Sequence, residues 1–160
     1  MEIDRRKFNF VRKRAEEEYA KIGSAYCPYL QDAVHFNRVG FEHLLFKEWN
    51  KTRSEVEQYI RLKLLRLAPV ILSRSHTLQE YDERKIVVRQ KINARWESRL
   101  KKVRYYVFVA IVKDVRIKII VKEIEGGAKT FHSLYPSWKV VIKEGGERTK
   151  KFFSGNPETD

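Results

Sequence analysis

The order of hydrophobic periods predicts an α+β fold, with N-terminal helices packed on one face of a twisted antiparallel sheet of about four strands. Three observations carry the prediction. Apolar residues recur at helical spacing through the first half of the chain, as far as Pro69. From Lys85 they alternate with charged residues instead. The run Val103–Val112 is β-branched or aromatic on both faces, the composition of a central strand buried on two sides.

Taken in order, Phe8, Val11, Ala15 and Tyr19 lie at near-helical spacing in a basic, then acidic, run from Arg5 to Ile22, which reads as a peripheral helix ending at Gly23. Pro28 makes Ser24 to Leu30 a non-helical connector, and a short extended piece, Ala33 to Phe36, follows. Phe41, Leu44, Leu45 and Trp49 mark a short helix lying on a core. Thr52-Arg53-Ser54-Glu55 matches a capping box with Thr52 as the cap. It opens a second helix with the stripe Val56, Ile60, Leu64 and Leu67, which Pro69 is expected to end near Ala68. Residues 73–84 are polar and aperiodic and read as a loop. Ile86, Val88 and Ile92 alternate with bases as in an extended segment, whereas Ala94 to Lys101 fits neither period. Lys113-Asp114 is expected to turn a hairpin into a strand from Val115 to Val121 with a largely basic second face. Gly126-Gly127 turns again, and Thr130–Tyr135 and Trp138–Ile142 supply further extended pieces.

A chain of 160 residues is one domain's worth. The expected division is a basic peripheral helix over 1–25, a single α+β domain over 26–143 and a flexible polar tail over 144–160. The start carries no apolar stretch of leader type and no run approaches the roughly 18 residues of a membrane span, so a cytoplasmic protein without membrane partners is expected. A single cysteine, Cys27, agrees with a reducing compartment.

Charge is the strongest compositional signal. The net is +13, and residues 85–143 hold 15 Lys and Arg against 4 Asp and Glu, so +11 of it sits in one stretch. Solubility alone would spread the excess, whereas a phosphate backbone explains its concentration. Phosphate-loop, dinucleotide-binding, zinc-protease and serine-hydrolase motifs are absent, so no cofactor and no metal are expected.

Among groups that could carry chemistry, His43 and Lys47 stand four residues apart, which on a helix puts them on one face, away from the row of Phe41, Leu44 and Leu45. A histidine beside a fixed cation suits proton handling next to a phosphate; an exposed polar stripe is the plainer reading. Arg61 and Arg66 on the second helix read either as phosphate clamps or as its wet side, and Lys63 as the wet side. Tyr105 and Tyr106 point to opposite sheet faces, so one can be core and the other can meet RNA. Strand alternation lets only one of His132 and Ser133 share a pocket easily. His35 is expected to bond backbone and His76 to face solvent. Arg104, Arg116, Lys118, Lys122 and Lys139 complete the expected nucleic-acid surface.

The succession VHF, GFEHLLFK, EVEQYIRLKLLRLAPVIL, KVRYYVFVAIV, VRIKIIVKEI and KTFHSLYPSWK, covering Ala33 to Lys139, resembles the ribonuclease superfamily that unites barnase, RelE-type toxins and colicin-type tRNases, and within it the phage- and toxin-associated branch. The resemblance implies His43 as acid or base, Lys47 as its cationic neighbour, a tyrosine of the central strand (Tyr106, with Tyr105 as the alternative) and Ser133 on the last core strand. It implies a metal-independent endoribonuclease giving a 2′,3′-cyclic phosphate. The partners it implies are RNA, such as tRNA or ribosome-bound mRNA, and an antitoxin or immunity protein. Barnase's catalytic carboxylate has no counterpart here, which leaves the general base open. A non-catalytic RNA- or ribosome-binding module on the same basic sheet is the rival expectation.

Overall fold

A computed structural model describes residues 3–48, 50–137 and 158–160. The fold is α+β. A helix α1 (Arg5–Ile22) leads into a hairpin of β1 (Ser24–Cys27) and β2 (Asp32–His35), then α2 (Arg38–Leu45) and the small pair β3 (Phe46–Glu48) and β4 (Lys51–Thr52). After α3 (Glu55–Leu64), a 3-10 turn over Leu65–Leu67 and α4 (Ala68–Ser73), the chain runs through four long strands: β5 (Glu80–Ile92), β6 (Arg95–Val112), β7 (Val115–Ile124) and β8 (Lys129–Pro136).

The main sheet has six strands in the order β1-β2-β8-β7-β6-β5. Its β5–β8 part is the antiparallel meander read from the sequence, but the whole is mixed, because β2 joins β8 in parallel at His35–Thr130. The extra strands come from the segment taken as a connector. Pro28 sits in the turn between β1 and β2 rather than keeping the chain out of the sheet.

Local chemistry accounts for the other departures. The cap of α3 is Ser54, which accepts from the Glu57 amide at 3.2 Å, so the capping box is shifted two residues from Thr52. Pro69 does not end the helical path. It falls in the first turn of α4, where its missing N–H costs nothing, and the 3-10 turn absorbs the change of axis. The loop expected up to residue 84 is shorter, since Glu80–Arg84 already pairs with Val103–Val107. Asn93-Ala94 and Lys113-Asp114 both take positive φ at two successive positions, the primed-turn geometry that two-residue hairpins favour. The first of these turns resolves the stretch from Ala94 to Lys101 as strand. Trp49 and the extended piece expected over Trp138–Ile142 lie outside the described residues.

The main core fills the helix-bearing face of the sheet, where Phe108, Ile117, Ile119, Val121, Phe131 and Leu134 meet Phe41, Leu44, Leu65, Ala68 and Leu72. Each of these side chains except Ala68 is worth about 1.5–3 kcal/mol on burial. The helix α1 is less peripheral than its thin stripe suggests. Tyr19 is buried among Phe36, Phe41 and Phe131, and its hydroxyl donates to the Asn37 carbonyl. On the opposite face lies a smaller cluster, Val103, Tyr105, Val107 and Ile120, beside the site that residues 158–160 fill, called the cleft below. No helix among the described residues is long and apolar enough to cross a membrane.

Beyond Val103, β6 has only β5 as a partner. Paired residues from Lys85–Lys102 to Ile92–Arg95 form a two-stranded ribbon about 25 Å long. It carries seven bases against the single acid Glu97, with Val87, Trp96 and Leu100 exposed. Arg89 lies over the Trp96 ring at 5.5 Å.

Candidate functional site

Past Thr130, β8 no longer pairs with β2, and α2 and α3 flank it instead. That change of neighbours brings helix and strand side chains together. His43 comes from α2, Arg53 from the link after β4, Arg61 from α3, His132 and Ser133 from β8, and Tyr105 and Lys122 from the small-cluster face of β6 and β7.

The two imidazoles are stacked, with centroids 4.1 Å apart and planes 28° apart. Arg53 donates from Nη2 to His43 Nε2 at 3.2 Å and from Nε to the His43 carbonyl at 3.0 Å. A guanidinium has no acceptor, so His43 Nε2 holds a lone pair and its proton is on Nδ1. Burial, then His132, Arg53, Arg61 and Lys122, pushes the His43 pKa down to about 2. His43 is therefore neutral at pH 7. His132 Nε2 faces the main-chain oxygen of Glu158 at 3.2 Å. A carbonyl only accepts, so this imidazole presents its N–H to the cleft. One ring offers an acceptor and its neighbour a donor.

Arg61 is buried and donates from Nη1 to Ser133 Oγ at 2.7 Å, while its guanidinium lies 5.1 Å from the centre of the Tyr135 ring. Burial, reinforced by Arg53, lowers its pKa to about 10, so it stays charged at neutral pH. Tyr105 is fully buried, with its hydroxyl on Glu158. Burial foremost, then Glu158, raises its pKa and keeps it a donor. Residues 158–160 complete the cluster. Tyr105 and Lys122 bind the Glu158 carboxylate, with Lys122 Nζ 3.0 Å from each oxygen. Arg53, Arg61 and Ser133 bind the main-chain oxygen of Asp160 at 3.3, 2.6 and 2.8 Å, and Arg53 also donates to that of Thr159 at 2.8 Å.

Thus His43, Arg61, Ser133 and Lys122 of the expected set come together. Lys47 does not join them. The helix ends at Leu45, so Lys47 is an exposed residue of β3 and the four-residue helical spacing to His43 does not apply. Its place as the neighbouring cation is taken by Arg53, which looked like part of a capping box. Tyr106 is on the helix-bearing face, where its hydroxyl donates to Glu123 at 3.0 Å; Tyr105 is the tyrosine of the cleft. Arg104 shares the Tyr106 side and pairs with Glu123 and Glu83. Arg66 is exposed on the 3-10 turn after α3. Lys118 faces the cleft side but is buried against Glu80 at 2.9 Å, and Arg116 is half-buried further along the same face. Lys139 lies outside the described residues.

His132 and Ser133 both reach the cleft, against simple alternation. The register slips at this point: Ile120 pairs with Ser133 and Val121 with Phe131, leaving His132 as the extra residue of a β-bulge. A bulge re-aims one side chain and so places two consecutive residues on one side.

Among the described residues, no three His, Cys, Asp or Glu side chains converge as a metal centre would require. Compared with family models, with characterised proteins and with solved structures, the chain matches none.

Proposed function

We propose that the chain is a small endoribonuclease that works without a metal ion, cutting RNA by attack of a 2′-hydroxyl on the adjacent phosphorus. The observation that carries the reading is the cleft's pairing of an acceptor imidazole with a donor imidazole among Arg53, Arg61, Ser133, Tyr105 and Lys122. In the proposed reaction His43 Nε2 takes the 2′-hydroxyl proton as the O2′–P bond forms. The P–O5′ bond breaks, and His132, entering as the imidazolium, gives a proton to the leaving oxygen and is left neutral. The products are a 2′,3′-cyclic phosphate and a 5′-hydroxyl. Arg53 and Arg61 hold the phosphoryl oxygens, the part played by charge-assisted donors at a developing oxyanion.

The same arrangement explains how His43 becomes a base. Burial is the first cause of that low basicity and the neighbouring cations the second; a bound phosphate neutralises the cations, and once Arg53 turns to a phosphoryl oxygen the His43 lone pair is released. The basic ribbon over 85–102 and the exposed Trp96 supply a binding arm for the rest of the RNA.

A second reading, an RNA-binding module without catalysis, is favoured by one observation: in this structure the His43 lone pair is already engaged by Arg53. Incubating the purified chain with RNA in EDTA, followed by end-group analysis, separates the two. Cyclic phosphate ends that vanish in His43→Ala support the ribonuclease, and salt-sensitive RNA binding with intact RNA supports the module.

A further inference from the structure

Every cleft group with which a phosphate would be held is already engaged by three residues of the same chain. The Glu158 carboxylate takes Tyr105 and Lys122, its main-chain oxygen faces His132, and the oxygens of Thr159 and Asp160 take Arg53, Arg61 and Ser133. These contacts form two seats for negative or strongly accepting groups, filled by atoms no more than two residues apart along the segment. Tyr105 pairs with Lys122 and Ser133 with Ile120, two residues along β7, which sets the seats about 7 Å apart along the strand. Two acceptor groups that close on a flexible chain match neighbouring phosphates of a ribose-phosphate backbone.

We infer that Glu158–Asp160 is an intramolecular competitor, occupying the two seats that consecutive RNA phosphates take, so that substrate must displace it. For the identity of the ligand the inference rests on the ribonuclease reading; the seats themselves do not depend on it. Lys122 and Tyr105 become the seat of the second phosphate, next to the scissile one at Arg53, Arg61 and Ser133. The segment is not a working part that lends Glu158 as a base. In that case its own main chain would not also consume the donors at Arg53, Arg61 and Ser133, leaving none for the phosphoryl oxygens.

The test compares the full chain with a chain ending at residue 157, with Glu158→Gln, and with Glu16→Gln/Glu17→Gln, which removes two exposed carboxylates from α1 as a charge-matched control. Binding is read by anisotropy of a labelled 2′-deoxy-substituted oligonucleotide that resists cleavage, and cleavage is read on the matching RNA. Removing the segment is expected to tighten binding at least tenfold and to raise the initial rate, with Glu158→Gln intermediate and the control near the full chain. A synthetic peptide of residues 153–160 added to the shortened chain is expected to restore inhibition competitively, and a scrambled peptide is not. Unchanged affinity and rate overturn the inference. So does equal tightening in the control, or loss of cleavage with binding intact. If no form binds RNA, the ribonuclease reading fails by itself. Calorimetry of the peptide with the shortened chain then decides the seats: saturable binding sustains a resident segment, and no binding ends it.

Discussion

Arg53 spans His43, donating through Nε to its main-chain oxygen and through Nη2 to its ring nitrogen, so one guanidinium fixes both the place and the tautomer of the imidazole. The same Nη2 also donates to Thr159 and Asp160. Arg53 is thus the joint between the histidine and whatever acceptor fills the cleft. Its burial carries a desolvation cost that these acceptors offset.

The depressed basicity of His43 has a signature in stability. In the unfolded chain the ring titrates near 6.5, while in the folded chain it stays neutral until about pH 2. As pH falls below 6.5 the unfolded state binds a proton that the folded state refuses. Stability contributed by the neutral ring is therefore complete above that value and declines toward acid, with a limiting slope of about 1.4 kcal/mol per pH unit. Denaturant melts between pH 6.5 and 5 should show this decline, and His43→Phe should reduce the slope by up to that amount. An identical slope in the variant would show that His43 is not held neutral.

The two tyrosines of β6 give a matched pair of variants. Tyr105→Phe removes a donor from the cleft and should lower cleavage by about ten- to a hundredfold, the effect of losing one hydrogen bond to a charged acceptor. Tyr106→Phe removes a bond to Glu123 on the other face and should cost about 1 kcal/mol of stability with no change in kcat/KM. Reversed effects would move the active face to the helix side.

Arg61→Lys keeps the charge but loses the fork that reaches Ser133 and the cleft occupant together. Cleavage should fall by about 10²-fold, chiefly in kcat, in keeping with removal of one oxyanion donor. A change confined to KM would make Arg61 an anchor for bound RNA and would falsify its role in the transition state.

These residues differ in how far the sequence revealed them. The strands were legible because Val103–Val112 and the alternation after it follow a period of two, and β7 does present Arg116, Lys118 and Lys122 on one side. Parity separates Tyr105 from Tyr106 but does not say which face carries the cleft, since that depends on where α2 and α3 pack. Arg53 was hidden in a segment whose local chemistry is a helix cap, and its distant partners give no local signal. A bulge hides the joint use of His132 and Ser133, because it breaks simple strand alternation. Lys47 leaves the His43 face because the helix stops at Leu45 and the chain turns into β3, an end that no capping residue in the sequence marks.

The ribbon should carry much of the salt dependence of RNA binding. Replacing Arg89, Lys91, Arg95 and Arg99 with Gln removes four cations from paired positions that bear no part of the helix-packed core. The slope of log K against log salt should flatten by up to about 0.7–0.9 for each lost phosphate contact. Cleavage of a dinucleotide, too short to reach the arm, should be unaffected. A salt slope equal to that of the parent would exclude the ribbon from the interface.

Gly40 sets the distance between α2 and β8 and so the seat of His43. A methyl group there would lie 2.4 Å from the Phe131 carbonyl oxygen and 2.8 Å from the Tyr19 hydroxyl, both closer than van der Waals contact allows. The carbonyl belongs to a paired strand and cannot step aside, so α2 must move outward. Gly40→Ala gains about 1 kcal/mol in helix propensity but incurs about 1–3 kcal/mol of overpacking, with net destabilisation expected. Because His43 lies one turn further along the same helix, its ring would be lifted from His132. The variant should therefore lose cleavage by more than tenfold while keeping RNA affinity within about twofold, since the ribbon and Lys122 stay in place. Thermal melts and paired binding and cleavage assays read the two effects separately, and equal loss of both would mean that the helix displacement collapses the whole cleft rather than uncoupling the two histidines.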